Sequence, residues 1–227
     1  MGRFSVILIL LLLVCCEDNK VNNNDDEDIY QYAIYDIDGY GYDTIHIGNQ
    51  TWLKENLEVT HYQNGDTIPS GYDRTDWENL MIGAYSLYND SIRSFGLLYN
   101  WYTVNDTRNI APVGWHVPTK DEWDTLIVNL GGDAIAGGKL KEVGTVNWNE
   151  PNTGATNESG FTSLPSGYRY YDDGGYYSLG TMSYYWTSSE AATNHAFGKG
   201  MRYNTEGVDR IYGNKNDGYS IRCIKNE

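Results

Sequence analysis

Apolar positions recur at helical spacing in one stretch of this chain. Trp123, Leu126, Ile127 and Leu130 fall on a single face, and both ends of the stretch are marked. Thr119 offers an N-cap hydroxyl, and Glu122 three residues later has the spacing of a capping box. Asp121 and Glu122 set negative charge against the positive end of the helix dipole, while Gly131 supplies a residue that tolerates positive φ at the exit. The spacing therefore predicts one main amphipathic helix over about 119–130. No other stretch before residue 200 has a comparable pattern.

Elsewhere the pattern is that of strands. Tyr30–Tyr35 and Tyr42–Ile47 are rich in β-branched and aromatic residues and flank a turn cluster, Asp36 to Gly41. Gly48-Asn49 makes a second turn, followed by a short strand or turn element over Gln50–Leu57. From there to Tyr85 the chain is polar and irregular. Phe95–Val104 is an aromatic run that has to be mostly buried. Beyond the helix, Gly131 to Gly144 is a glycine-rich connector with a single turn expected at Lys139–Glu142. Strands follow at Tyr168–Tyr171, Tyr184–Ser188, about Phe197–Tyr203, and Tyr219–Ile224, linked through Asp172 to Gly175, Asn204 to Gly207 and Asn216 to Gly218. The expected class is α+β: loop-rich, with short antiparallel strands and one main helix.

Composition changes this picture in two ways. Aromatic content is carried by 21 Tyr and 7 Trp against 4 Phe, a choice that suits half-buried faces where a ring packs and a hydroxyl stays wet. Acidic residues number 31 against 16 basic, for a net charge of −15. Nucleic acid and an electrostatic membrane anchor both require basic patches, so neither is an expected partner.

The N-terminus reads as a targeting segment. Arg3 precedes an apolar run from Val6 to Val14, too short for a bilayer core that takes about 20 helical residues. Cys15 and Cys16 close the run. This resembles a bacterial lipoprotein signal, with residues 1–15 removed and Cys16 acylated; a cut one residue earlier leaves Val14 at the cleavage position, which fits worse. Residues 17–28 contain one apolar side chain and read as an acidic, flexible tether, similar to the surface-export signals of Bacteroidetes-type lipoproteins. A single domain is expected over 29–227, on an outer-membrane lipoprotein whose membrane partner is reached through the lipid.

Six segments carry a wider likeness: Trp52-Leu-Lys-Glu-Asn-Leu57, Leu98-Tyr-Asn-Trp-Tyr102, Gly114-Trp-His-Val-Pro-Thr-Lys-Asp-Glu-Trp123, Thr156-Asn-Glu-Ser-Gly-Phe161, Leu164-Pro-Ser-Gly-Tyr-Arg169 and Gly218-Tyr-Ser-Ile-Arg-Cys223. In this order they resemble the Fibrobacter succinogenes major paralogous domain family of bacterial envelope proteins. The resemblance implies a fold similar to C-type lectins and to formylglycine-generating enzymes. It implies no established activity.

An enzyme of the formylglycine-generating type needs a pair of redox- or copper-active cysteines. Once Cys16 is acylated only Cys223 remains, and it is expected to be a buried core thiol. His46, His61, His116 and His195 lack metal-ligand spacing. Asp36-x-Asp38-Gly39 reads as a hairpin turn and not a calcium loop, because glycine falls at the fourth position. Glu150-Pro151-Asn152 is the triplet that mannose-type C-type lectins use for Ca2+ and sugar, with Asn157 or Glu158 as further oxygens, but the downstream half of that site is absent. A loop turn made of Pro, Asn and Gly explains the triplet without any ligand and is the preferred reading. Tyr170, Tyr171, Tyr176, Tyr177, Tyr184 and Tyr185 cluster with Tyr168, and alternation places several on one face, where rings can stack on a glycan or a surface protein; rings half-buried under long loops account for the cluster at least as well. Asp43-Thr-Ile45, Asp66-Thr-Ile68 and Asp90-Ser-Ile92 resemble O-glycosylation acceptors. The expected function is a non-catalytic, lipid-anchored binding module. The alternatives are calcium-dependent sugar binding through Glu150 and Asn152, and an enzyme of unknown type.

Overall fold

The computed structural model describes residues 34–227. The leader at 1–15, Cys16, the tether at 17–28 and the start of the strand expected at Tyr30 lie outside the described residues.

The helix forms at Lys120–Asn129. Thr119 is extended, its Oγ1 accepts the Glu122 N–H at 3.2 Å, and the Glu122 carboxylate accepts the Thr119 N–H at 2.7 Å, which closes the capping box. At the exit the Gly131 N–H bonds to the Val128 carbonyl and the Gly132 N–H to Ile127, with Gly131 at φ 102°. That is the paired 5→2 and 6→1 arrangement a left-handed C′ residue permits. Trp123, Leu126, Ile127 and Leu130 are buried, as the spacing required.

Trp123 anchors one of two large core clusters. Its ring lies 5.0 Å from Trp52, 5.6 Å from Phe161 and 5.5 Å from Tyr185. Trp52 belongs to a four-stranded antiparallel sheet in the order Thr44–Ile47, Gln50–Leu53, Ile224–Lys225, Trp115–His116. Ile45 and Ile224 flank Trp52 in register. The first two strands turn at Gly48, at φ 63°, and Asn49, so the expected hairpin is present.

The second sheet has three antiparallel strands, Met182–Ala192, His195–Arg202 and Val208–Asn214. Residues along Met182–Ala192 alternate between the two cores: Tyr185 joins the Trp123 cluster, and Trp186 the other, with Tyr184 packed against the same side as Trp186. Tyr184 pairs with Gly200 across the ladder, and a Cβ at Gly200 would sit 2.6 Å from the Tyr184 ring. Glycine there lets the ring lie across the neighbouring strand.

Val208–Asn214 is a correction to the sequence reading, which had only a connection there. Asp209 and Arg210 disguise it: they pair with Arg202 and Asp133, one on each face of an edge strand, where both stay partly solvated. Two short helices were also unforeseen, Arg74–Glu78 and Trp101–Val104, and the turn expected at Lys139–Glu142 is a helix at Ala136–Leu140. Phe95–Val104 is indeed buried from Leu97 to Trp101, but it divides into a strand at Leu98–Tyr99 and the helix that Asn100 caps. Tyr219–Ile224 is extended and shares its bonds among several partners, Tyr99, Tyr184, Leu57 and Leu53, with the ladder proper only at Ile224–Lys225.

Candidate functional site

Tyr168–Arg169 pairs with Tyr176–Tyr177 around the Asp172–Gly175 turn. This hairpin stands beside the three-stranded sheet: Tyr168 is 5.2 Å from Tyr184, and Tyr184 is 5.2 Å from Tyr219. A Cβ at Gly213 would fall 2.8 Å from both Trp186 and Tyr219, so glycine is what lets those rings close up beneath the strand. Between hairpin and sheet lies an open groove of about 260 Å3. Tyr168, Tyr170 and Tyr171 line it from the hairpin, Tyr184, His195, Ile211, Tyr212 and Asn214 from the sheet and its edge, and Asp217 and Tyr219 from the segment that follows. Tyr170 and Tyr171 are in edge contact at 4.8 Å, and His195 stacks on Tyr212 at 4.5 Å.

Asp217 is the charged group of this lining, only 4% exposed. It accepts the Tyr171 N–H at 3.0 Å, the Asn214 N–H at 2.9 Å and the Tyr219 hydroxyl at 2.9 Å. Burial nevertheless outweighs these donors and pushes its carboxyl up to about 6. Tyr168 is pushed up to about 12 by burial and by its neighbour Tyr184.

Of the six tyrosines singled out from sequence, the structure gathers three, Tyr170, Tyr171 and Tyr184, in the groove. Tyr177 stands at its rim, 5.9 Å from Tyr168, with its hydroxyl on Asp173. Tyr176 is turned away, packed on Tyr88 and donating to Asp90 at 2.6 Å. Tyr185 is fully buried on the opposite side of its strand, hydrogen-bonded to Ser163, because strand alternation sends it to the helix side. His195, Ile211, Tyr212, Asn214, Asp217 and Tyr219 were not anticipated as site residues. Tyr212 lies on the unrecognised edge strand, and Asp217 reads locally as a turn residue; only tertiary contact joins them.

A second concavity, also about 260 Å3, is lined by Lys54, Glu55, Glu58 and Arg222 among others. Its guanidinium is spent on structure: Arg222 bonds to Asn56 Oδ1 and to the Leu53 and Phe161 carbonyls. Burial raises the Glu55 carboxyl, which accepts the Asp43 N–H.

The remaining candidates are dispersed. Asn152 is buried and its Nδ2 donates to the carbonyls of Glu142 and Gly144 at 2.8 and 2.7 Å, bracing the loop, whereas Glu150 is exposed. Asn157 bonds Thr162, and Glu158 pairs with Lys139 at 3.4 Å. Among the described residues no three His, Cys, Asp or Glu side chains are gathered to hold a metal ion. His46 meets Thr51, His61 pairs with Asp38, and His116 bridges Glu122 and Asn226, each at a separate place. Asp36 holds its own turn by accepting the N–H groups of Asp38 and Tyr40. Cys223 is a free, fully buried thiol, and burial pushes its ionisation well up, away from a reactive thiolate.

Residues 45–225 match the family model of the Fibrobacter succinogenes major domain. Neither the curated proteins nor the solved structures searched give a match.

Proposed function

Because the chain belongs to the Fibrobacter succinogenes major domain family, whose description names no activity, we propose its function from the groove. The domain is a non-catalytic binding module of the bacterial cell envelope, held to the outer membrane by a lipid on Cys16. It captures a glycan or a surface protein between the hairpin tyrosines Tyr168, Tyr170 and Tyr171 and the sheet tyrosines Tyr184 and Tyr212.

The observation that carries the reading is the groove itself: seven of its ten lining residues are aromatic or imidazole rings. Ring faces stack on flat apolar surfaces at small entropic cost, as suits recognition. The one buried carboxylate there is engaged by three internal donors, the N–H groups of Tyr171 and Asn214 and the Tyr219 hydroxyl, as befits an acceptor that holds the loop in place. A C-type-lectin-like arrangement is part of the proposal. What supports it is the Pro118-Thr119-x-x-Glu122-Trp123 helix start and the pairing of strands from both ends of the domain, Gln50–Leu53 with Ile224–Lys225.

The test is an array of glycans and envelope proteins probed with purified protein and with a Tyr170→Ala/Tyr212→Ala variant. Both rings are at the groove surface, so the variant should fold and lose binding. Undiminished binding would refute the groove, and turnover of a bound ligand would refute the non-catalytic reading. Loss of fatty-acid labelling in Cys16→Ser is the matching test of the anchor.

A further inference from the structure

We propose that the groove is an aromatic cage for a methylated ammonium group, such as a choline-type headgroup; this names the ligand class of the binding function above and rests on it.

Three observations converge. First, six of the ten lining residues are tyrosines, whose rings carry a negative quadrupole face, and no Lys or Arg is among the lining residues. The protein's own cations are used on rings elsewhere. Arg169 lies over Trp77 and Tyr176, Lys215 over Trp101, Lys141 over Trp148, Arg222 over Phe161 and Tyr185, and Arg108 over Tyr62. None lies over a groove ring among the described residues. Arg202, on the strand that faces Tyr184, is tied to Asp209 at 2.5 Å.

Second, Asp217 puts one carboxylate in the lining, in surroundings that screen it poorly. A cation above the rings would offset the cost of that burial. Third, the carboxylate already accepts three hydrogen bonds, from Tyr171, Asn214 and Tyr219. A methylated ammonium brings charge and apolar surface and asks for no further acceptor, so rings plus the field of Asp217 are sufficient for it, whereas a primary ammonium has three N–H donors to satisfy.

The test is calorimetric titration of the purified protein with choline, with tetramethylammonium, and with neohexyl alcohol, the uncharged carbon isostere of choline. Choline is expected to bind at least about tenfold more tightly than the isostere. Tyr212→Ala, at a position 56% exposed and thus not needed for the core, should weaken choline about three- to tenfold. Displacement of choline by phosphatidylcholine vesicles would mark a membrane headgroup as the source, and displacement only by soluble betaine a free ligand; either supports the cage. Equal affinity for choline and its isostere, or choline binding indifferent to Tyr212→Ala, overturns it. If choline fails while an array ligand is lost in Tyr170→Ala/Tyr212→Ala, the cage falls and the binding function stands. If the array is silent too, both fall.

Discussion

Lys141 offers the sharpest test of how the long loops are held. Its side chain is fully buried with no carboxylate in ion-pair contact, and its ammonium donates to the carbonyls of Thr153 at 2.9 Å, Arg202 at 3.0 Å and Thr205 at 2.9 Å. Three protons meet three acceptors, and those acceptors come from two separate loops, so one residue ties the Glu142–Gly160 region to the turn after His195–Arg202. Lys141→Met keeps the stem and its packing near Trp148 but removes every donor. Each carbonyl left without a partner costs about 1–3 kcal/mol, less where water enters. The charge no longer has to be buried, which returns part of that. A net loss of about 3–5 kcal/mol at pH 7 is expected, the sum over three unpartnered carbonyls less what the unburied charge returns. Urea denaturation of both proteins measures it. Burial also pushes the Lys141 amine down to about 8 from an ordinary 10.5. The folded state therefore holds fewer protons than the unfolded between those values, and stability gained from this residue rises with pH across that window. The gap between wild type and Lys141→Met should accordingly widen from pH 8 to pH 10. A gap under about 1 kcal/mol at pH 7, set against the 3–5 expected, would refute the reasoning.

The other predictions concern single groups. Thr119→Ala removes the acceptor for the Glu122 N–H and should cost about 1 kcal/mol by thermal or chemical melting. Asp217, raised to about 6 by burial, binds its proton more tightly folded than unfolded. Its contribution to stability is full below about pH 4 and lost as pH rises through 6, so the stability of wild type relative to Asp217→Ala should fall by up to about 3 kcal/mol between pH 4 and pH 7. Cys223 should resist alkylation in the native protein and react only on unfolding, with peptide mass spectrometry locating the label.

What the sequence determined was local. The capping box of Thr119 and Glu122, the apolar face from Trp123 to Leu130, and the Gly131 exit are all encoded within a dozen residues, and the helix at Lys120–Asn129 follows from them. The Gly48–Asn49 hairpin and the Asp36 turn are equally short-range. The burial of Cys223 was legible because it lies with Ile221 and Ile224 on the expected terminal strand. The groove was legible only in part. Tyr170, Tyr171 and Tyr184 were visible as a cluster, but position in the chain could not separate Tyr184 from Tyr185. The ladder decides that: Tyr185 pairs with Lys199 on the helix side, while Tyr184 crosses Gly200 on the groove side.

Tertiary structure alone decided the rest, because the deciding neighbours are far apart in the chain. Val208–Asn214 looks polar in sequence and becomes a strand because it pairs in continuous register with His195–Met201, while Asp209 and Arg210 meet Arg202 and Asp133 in the exposed pairs of the edge. Asp217 is a turn residue until Tyr171, Asn214 and Tyr219 converge on it. Periodicity reports which side of an element is apolar; it carries no information about which polar groups a buried pocket will collect, since that depends on backbone donors and acceptors left over when the sheets have paired.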